Sequence, residues 1–144
     1  MSLLVFGATG QLAVALRSLV HDAQFLDRAA ADLTNPEACA AVIHAIRPSA
    51  IINAAAYTAV DRAEEEEALA RLINAEAPGA MARACADLDI PFLHVSTDYV
   101  FDGSGHSPWH PDDPVAPINA YGRSKADGEA AVRAAGGPHA ILRT

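Results

Sequence analysis

Lysine is almost missing from this chain. Nine of its ten long basic side chains are arginine, and the single exception is Lys125. Positive charge of any kind is scarce. Eighteen acidic residues against ten basic ones leave a formal net charge of -8, which removes the basic patch that a nucleic-acid surface requires. Cysteine is scarce too: Cys39 and Cys85 have neither metal-ligand spacing nor the density of a secreted disulfide scaffold. Both fall in helix-like stretches and read as buried free thiols in a reducing compartment. No apolar run approaches the roughly 18 residues that span a bilayer, and the N-terminus enters a short apolar segment without the basic start of a signal peptide. Together these absences point to a cytoplasmic protein that engages no nucleic acid and no membrane.

What is present has the composition of a globular domain, 51% apolar and 19% charged over 144 residues, enough for one domain with its own core. Leu3–Phe6, Phe25-Leu26, Ala50–Ile52, Pro91–Val95 and Ala140–Arg143 are short apolar runs of the kind that form buried strands. Between them lie helical patterns over Gln11–Val20, from Pro36 to the stop at Pro48, from Asp61 through Leu72, over Pro78–Leu88 and over Asn119–Ala135. Leu12, Leu16 and Leu19 share one face of the first helix. Asn35 before Pro36 is a good cap, and Asp61 with Glu64 resembles a capping box. The Glu64–Glu67 run reads as the solvated first turn of a helix, and no cluster of carboxylates or histidines has the spacing of a metal site. Strand and helix alternate throughout, which specifies an α/β fold: a Rossmann-type, doubly wound parallel sheet with helices on both faces.

Gly7-Ala8-Thr9-Gly10-Gln11-Leu12-Ala13 sits between the first strand and the first helix. Gly7 permits the tight turn, Gly10 lets backbone approach a pyrophosphate, and the helix N-terminus offers N–H donors and a positive dipole. Ala13 is small enough for the helix to lie on the sheet. Asp27 ends the second strand, where a carboxylate would bond the ribose hydroxyls of NAD; Arg28 beside it suits the extra phosphate of NADP. The two residues leave NADH and NADPH both open as cofactor.

His94-Val95-Ser96-Thr97-Asp98 ends a strand at its carboxyl side, where such sheets place their chemistry. Thr97 could hydrogen-bond a substrate carbonyl. Tyr121 and Lys125 are four apart on one helix and share a face. A compact ammonium beside a phenol lowers its pKa from about 10, so Tyr121 would protonate the carbonyl oxygen as hydride reaches carbon, with Lys125 holding the phenol's pKa down and reaching the nicotinamide ribose. The plainer readings are a lysine stem packed on a tyrosine ring, strand-end hydroxyls satisfying backbone groups, and His94 as a satisfied sheet histidine. The order of the pieces along the chain favours chemistry.

Gly7-Ala8-Thr9-Gly10-Gln11-Leu12, Asn53-Ala54-Ala55-Ala56-Tyr57-Thr58-Ala59-Val60-Asp61 and Ser96-Thr97-Asp98-Tyr99-Val100-Phe101-Asp102-Gly103 resemble the extended short-chain dehydrogenase/reductases. Within them they resemble the branch that reduces the C4 keto group of dTDP-4-dehydro-6-deoxy-L-mannose to dTDP-L-rhamnose. The resemblance covers essentially all 144 residues. It implies a catalytic Thr97, Tyr121 and Lys125. It implies cofactor contacts at Gly7, Gly10, Gln11, Leu12, Asp27, Arg28, Asp32, Leu33, Ala55, Ala56, Tyr57, Thr58, Tyr121 and Lys125, with Asp32-Leu33 flanking the adenine and Ala55–Thr58 lining the path to the nicotinamide. Thr97, Asp98 and Tyr121 would touch a dTDP-sugar substrate. Ala13 stands where the family has glycine. Residues 1–144 would be the NAD(P)-binding domain, a fragment that ends before the part completing the substrate pocket, and the full-length protein is open to homodimer assembly. Two other readings share the resemblance: another sugar-nucleotide reductase or epimerase, and a non-catalytic subunit like the regulatory β subunit of methionine adenosyltransferase. The intact Thr97, Tyr121 and Lys125 favour an enzyme.

Overall fold

The computed structural model describes residues 2–144. Five parallel strands, β1 (Leu3–Phe6), β2 (Ala23–Leu26), β3 (Ala50–Asn53), β4 (Phe92–Ser96) and β5 (His139–Arg143), form one sheet in the order β2-β1-β3-β4-β5. The helices are α1 (Gln11–Leu19), α2 (Pro36–Ile46), α3 (Val60–Ala63), α4 (Glu67–Arg71), α5 (Ala77–Asp87) and α6 (Ala120–Ala134). The step from β1 to β2 runs toward one edge of the sheet and every later step runs the other way. Right-handed crossovers then put α1 on one face and the remaining long helices on the other. α2, α5 and α6 do pack side by side, over a core that includes Leu4, Phe6, Cys39, Ile43, Met81, Cys85 and Phe92. The reversal falls between β1 and β3, where an open α/β sheet leaves a crevice at the carboxyl ends of its strands.

Local chemistry explains most element ends. Asn35 Oδ1 accepts the Ala38 N–H at 3.0 Å and Pro36 occupies the first turn, so α2 starts there; it stops at left-handed Arg47, φ 49°, before Pro48. Asn119 Oδ1 accepts the Gly122 N–H at 2.7 Å and starts α6. Cys39 and Cys85 are buried free thiols, and burial pushes them up to about 11 and about 12. α1 differs from its apolar pattern: only Ala13 is fully buried, while Leu12 and Leu19 stay exposed. The helices that pack together all lie on the opposite face, so α1 meets the sheet on one side only.

The segment from Asp61 to Leu88 also departs from expectation. Asp61 and Glu64 form no capping box; Ala59 precedes α3 and makes no side-chain cap. The Glu64 carboxylate reaches across instead to accept the Ala120 N–H at 2.7 Å, capping α6 from outside. Glu67 accepts from Arg123 at 2.9 Å and Glu66 from the Tyr57 hydroxyl at 2.7 Å. The acidic run therefore ties its segment to α6 and to Tyr57, and is not merely a solvated turn. α4 and α5 are not separate: a π-helical turn, Leu72–Glu76, joins them without a break.

That π turn is where α6 docks most closely. A Cβ on Gly128 would strike the backbone carbonyl of Asn74, so only glycine lets the two helices meet at this separation. Gly128→Ala should lower unfolding free energy by about 1–3 kcal/mol, as overpacking does. Gly10→Ala, whose Cβ would meet no protein atom, should stay within about 1 kcal/mol of wild type. Urea unfolding of both variants checks the contrast.

Candidate active site

The carboxyl ends of the strands frame a cleft of about 780 Å³. Gly7 turns the chain from β1 at φ 103°, and a Cβ there would crowd Ala55 N and Ala54 C at 3.2 and 3.3 Å; glycine is required on both counts. Gly10 is different. Its φ of -71° suits any residue and its missing side chain would meet nothing within 4 Å. Protein packing gives no reason for glycine at that position, whereas a ligand lying against the backbone does. Gly10 also makes no side-chain cap, leaving the first N–H groups of α1 available to an anion. Ala13 is 1% exposed, the close helix–sheet contact its size was expected to allow.

Gly7, Gly10, Gln11, Leu12, Asp27, Arg28, Asp32, Leu33, Ala55, Ala56, Thr58, Tyr121 and Lys125 all line this cleft. A chain of residues running from the α1 N-terminus past the β2 end to Lys125 could hold an elongated dinucleotide. Asp27 Oδ1 accepts the Ala30 N–H at 2.9 Å, so half of its carboxylate is used as a turn. Arg28 pairs with Asp32 at 3.3 Å on the surface. Three of the expected residues do not line the cleft. Tyr57 spends its hydroxyl on Glu66, and Thr97 and Asp98 sit where the chain leaves β4. Thr97 Oγ1 accepts the Tyr99 N–H at 3.2 Å and lies 3.3 Å from Asp98 Oδ1.

Lys125 is 2% exposed and donates to the Val95 carbonyl oxygen at 2.6 Å. Burial brings its ammonium down to about 8, and the Glu129 carboxylate opposes that fall. Tyr121 corrects the sequence expectation. Burial raises its phenol above the usual value and the Thr97 hydroxyl only partly offsets this; Lys125 is not among the groups acting on it. The ammonium is instead drawn to the end of β4, on the Val95 carbonyl. Tyr99 meets Tyr121 edge-on, with ring centroids 5.5 Å apart.

Two buried residues that tie the site's elements together escaped the sequence reading. Asn74, 1% exposed, projects from the π turn and holds both backbone groups of Tyr57: its Oδ1 accepts the N–H at 2.8 Å and its Nδ2 donates to the carbonyl at 3.0 Å. Nδ2 also lies 2.9 Å from Ser124 Oγ, which donates to the Tyr121 carbonyl at 2.7 Å. One amide thus ties the Ala54–Thr58 wall of the cleft to the helix that carries Tyr121 and Lys125. An asparagine within Leu72-Ile73-Asn74-Ala75 was the available signal. The other is Glu129, one turn beyond Lys125 and 1% exposed.

His94 is only half satisfied. Asn53 Nδ2 lies 3.2 Å from its Nδ1, which with the amide donating puts the proton on Nε2, and Nε2 has no partner among the described residues. Burial, then the charge of Lys125, pushes the imidazole down to about 3.

Fold and cleft together define a Rossmann-type unit of the short-chain dehydrogenase/reductase class. Residues 1–144 match the family described as RmlD substrate binding domain, and the chain belongs to that family. It is 47% identical to dTDP-4-dehydrorhamnose reductase of Burkholderia thailandensis over 147 residues, covering 100% of this chain and 49% of that protein. The crystal structure of a dTDP-4-dehydrorhamnose reductase from Clostridium acetobutylicum superposes with a TM-score of 0.95 at 36% identity, covering 99% of this chain and 52% of that one. The Bacillus anthracis enzyme of the same name, solved in complex with NADP, gives 0.93 at 36% identity, covering 99% and 52%. The chain spans about half the length of the curated relatives it matches.

His94 sets a pH dependence of stability. The unfolded chain takes up its proton below about pH 6.5 and the folded protein only below about pH 3. Between these values the unfolded state holds the extra proton. Stability is therefore fully present above pH 6.5 and falls on acidification, by ~1.4 kcal/mol per pH unit from this group. Denaturant titrations from pH 7 to 4 should show a shallower slope for His94→Gln than for wild type; equal slopes would contradict the assignment.

Proposed function

We propose that the full-length protein reduces the C4 keto group of dTDP-4-dehydro-6-deoxy-L-mannose to dTDP-L-rhamnose with NADH or NADPH. The observation that carries this reading is the convergence of the glycine loop, the β2 carboxyl end, Tyr121 and Lys125 on a single cleft, in a chain 47% identical to a dTDP-4-dehydrorhamnose reductase. The N–H groups at the start of α1 take the pyrophosphate, and Asp27 takes the adenosine ribose hydroxyls. Arg28 is placed for a 2′-phosphate once it leaves Asp32. The bound dinucleotide supplies hydride to the carbonyl carbon. Tyr121 supplies the proton to the oxygen.

Reduction needs a proton on its acid beforehand, so a phenol raised by burial suits this direction. Once the proton has left, the phenolate is stabilised by the ammonium of Lys125, which also bonds the nicotinamide ribose. Thr97 redirects its hydroxyl from Asp98 to the C4 oxygen, and Asp98 is then free for the sugar. The non-catalytic reading gives Tyr121 and Lys125 no task that would justify burying an ammonium. Homodimer assembly of the full-length protein belongs to the same reading.

Tyr121→Phe in the full-length protein should lower kcat by about 10²–10⁴-fold and leave the Kd of NADPH and NADH little changed, since the ring stays in place. Stopped-flow absorbance at the nicotinamide band and fluorescence titration read the two quantities. Wild-type protein that binds the dinucleotide yet never oxidises it with this or related keto sugars would sink the proposal.

A further inference from the structure

One turn beyond Lys125 on the same face of α6 lies a buried charge that the proposed reaction leaves idle. Glu129 accepts Arg143 Nε at 2.8 Å and Arg143 Nη2 at 2.6 Å, a bidentate pair, and Arg133 Nη2 at 3.1 Å. Burial alone would raise its carboxyl, but Arg143 and Arg133 more than offset this and hold it below the ordinary range. Arg143 also donates to the Pro111 carbonyl at 3.0 Å and covers the Phe101 ring, so the cluster joins α6, β5 and the loop after β4. Fastening by itself does not call for ions. A buried pair can often be replaced by apolar side chains of similar volume with no loss of stability.

The neighbourhood of Lys125 suggests what the charge is for. From β4 it faces the Val95 carbonyl and acts on His94, whose imidazole burial pushes down; on its own helix it shares a face with Tyr121 and Glu129. Arg143 on β5 lies beyond Glu129 and is matched by it. Among the described residues, Glu129 is the one fully buried carboxylate, and it stands one helical turn from this ammonium, whose fall it opposes. We propose that Glu129 is the counter-ion of Lys125, a positioning residue that keeps the ammonium charged and directed at the cleft while touching neither substrate nor cofactor. The inference rests on Lys125 serving the phenol and the ribose as described above.

Lys125 is the only lysine among these 144 residues, so in the full-length protein selective 13C-lysine labelling, with a Lys125→Arg variant to assign its Cε resonance, lets a pH titration read this ammonium directly. The wild-type midpoint is expected near 8. Glu129→Gln, equal in size but uncharged, should lower it by about one unit, the size of effect an opposite charge exerts at close range; Glu129→Asp should restore most of it. If Glu129→Gln fails to fold with two guanidiniums left unmatched, the double variant Glu129→Gln/Arg143→Gln removes both members of the bidentate pair and should still lower the midpoint. A carboxylate that only fastened β5 to α6 predicts the opposite sign, because loosening admits water and returns the lysine toward 10.5. A midpoint that is unmoved or rises in the glutamine variants overturns the proposal. Addition of NADH or NADPH should shift the same resonance. Its failure to respond would count against the cofactor reading, while the midpoints alone decide the role of Glu129.

Discussion

An ammonium withdrawn from water carries a penalty of several kcal/mol unless its surroundings are arranged for it, and much of this molecule is arranged around Lys125. The glycine at 128 brings α6 against the π turn, the end of β4 offers the Val95 carbonyl, and Glu129 places a negative charge behind the cation. Arg143 and Arg133 then make that second burial tolerable and secure the last strand and the loop from Phe101 to Pro111. A chain whose nine other long basic side chains are all arginine keeps its one lysine for a place that suits a compact point charge. The same withdrawal from water affects the neighbours: it pushes the His94 imidazole down and the Tyr121 phenol up.

The cleft divides its work between backbone and side chain. At the α1 end it offers groups the chain leaves bare, Gly10 and N–H donors without a side-chain cap, and so main-chain geometry. At the α6 end it offers the side chains of Tyr121 and Lys125, with Asn74 and Ser124 bonded behind the helix that carries them. A ligand long enough to meet both ends would be gripped by a rigid anion cradle and oriented by a buried charge network. That division matches what a dinucleotide presents, a pyrophosphate at its middle and a reactive ring at its end.

The sheet, the glycine loop and the Tyr121–Lys125 pair were legible because each depends on local pattern: apolar runs, a turn that needs glycine, a four-residue helical spacing. The segment from Asp61 to Leu88 was not. A π turn has no distinctive composition, and Glu64 looked like a local cap when its partner was Ala120, 56 residues away. Asn74 and Glu129 were passed over for the same reason, since the groups that give them meaning come from other elements. The pKa of Tyr121 was misjudged in direction because spacing says that two residues share a face, not which neighbour a long flexible ammonium will choose. The stripe of Leu12, Leu16 and Leu19 shows a similar limit: periodicity identifies a face without saying what covers it.

The π turn takes up a residue without changing a phase. An α-helix advances about 100° per residue, and a π turn accommodates one residue more than the α-helical turn it replaces. Leu72–Glu76 therefore absorbs an additional residue while α4 and α5 keep a common phase, so that Arg71 and Glu67 meet Asp127 and Arg123 on α6 and Asn74 still reaches Tyr57. Deleting one residue there would restore an ordinary α turn with the outer ion pairs in register, at the expense of the bulge that carries Asn74. Deleting a residue from α4 or α5 would instead turn one against the other by about 100°. Within the helix between β3 and β4, the π turn is the place where residue count can change without turning its two ends.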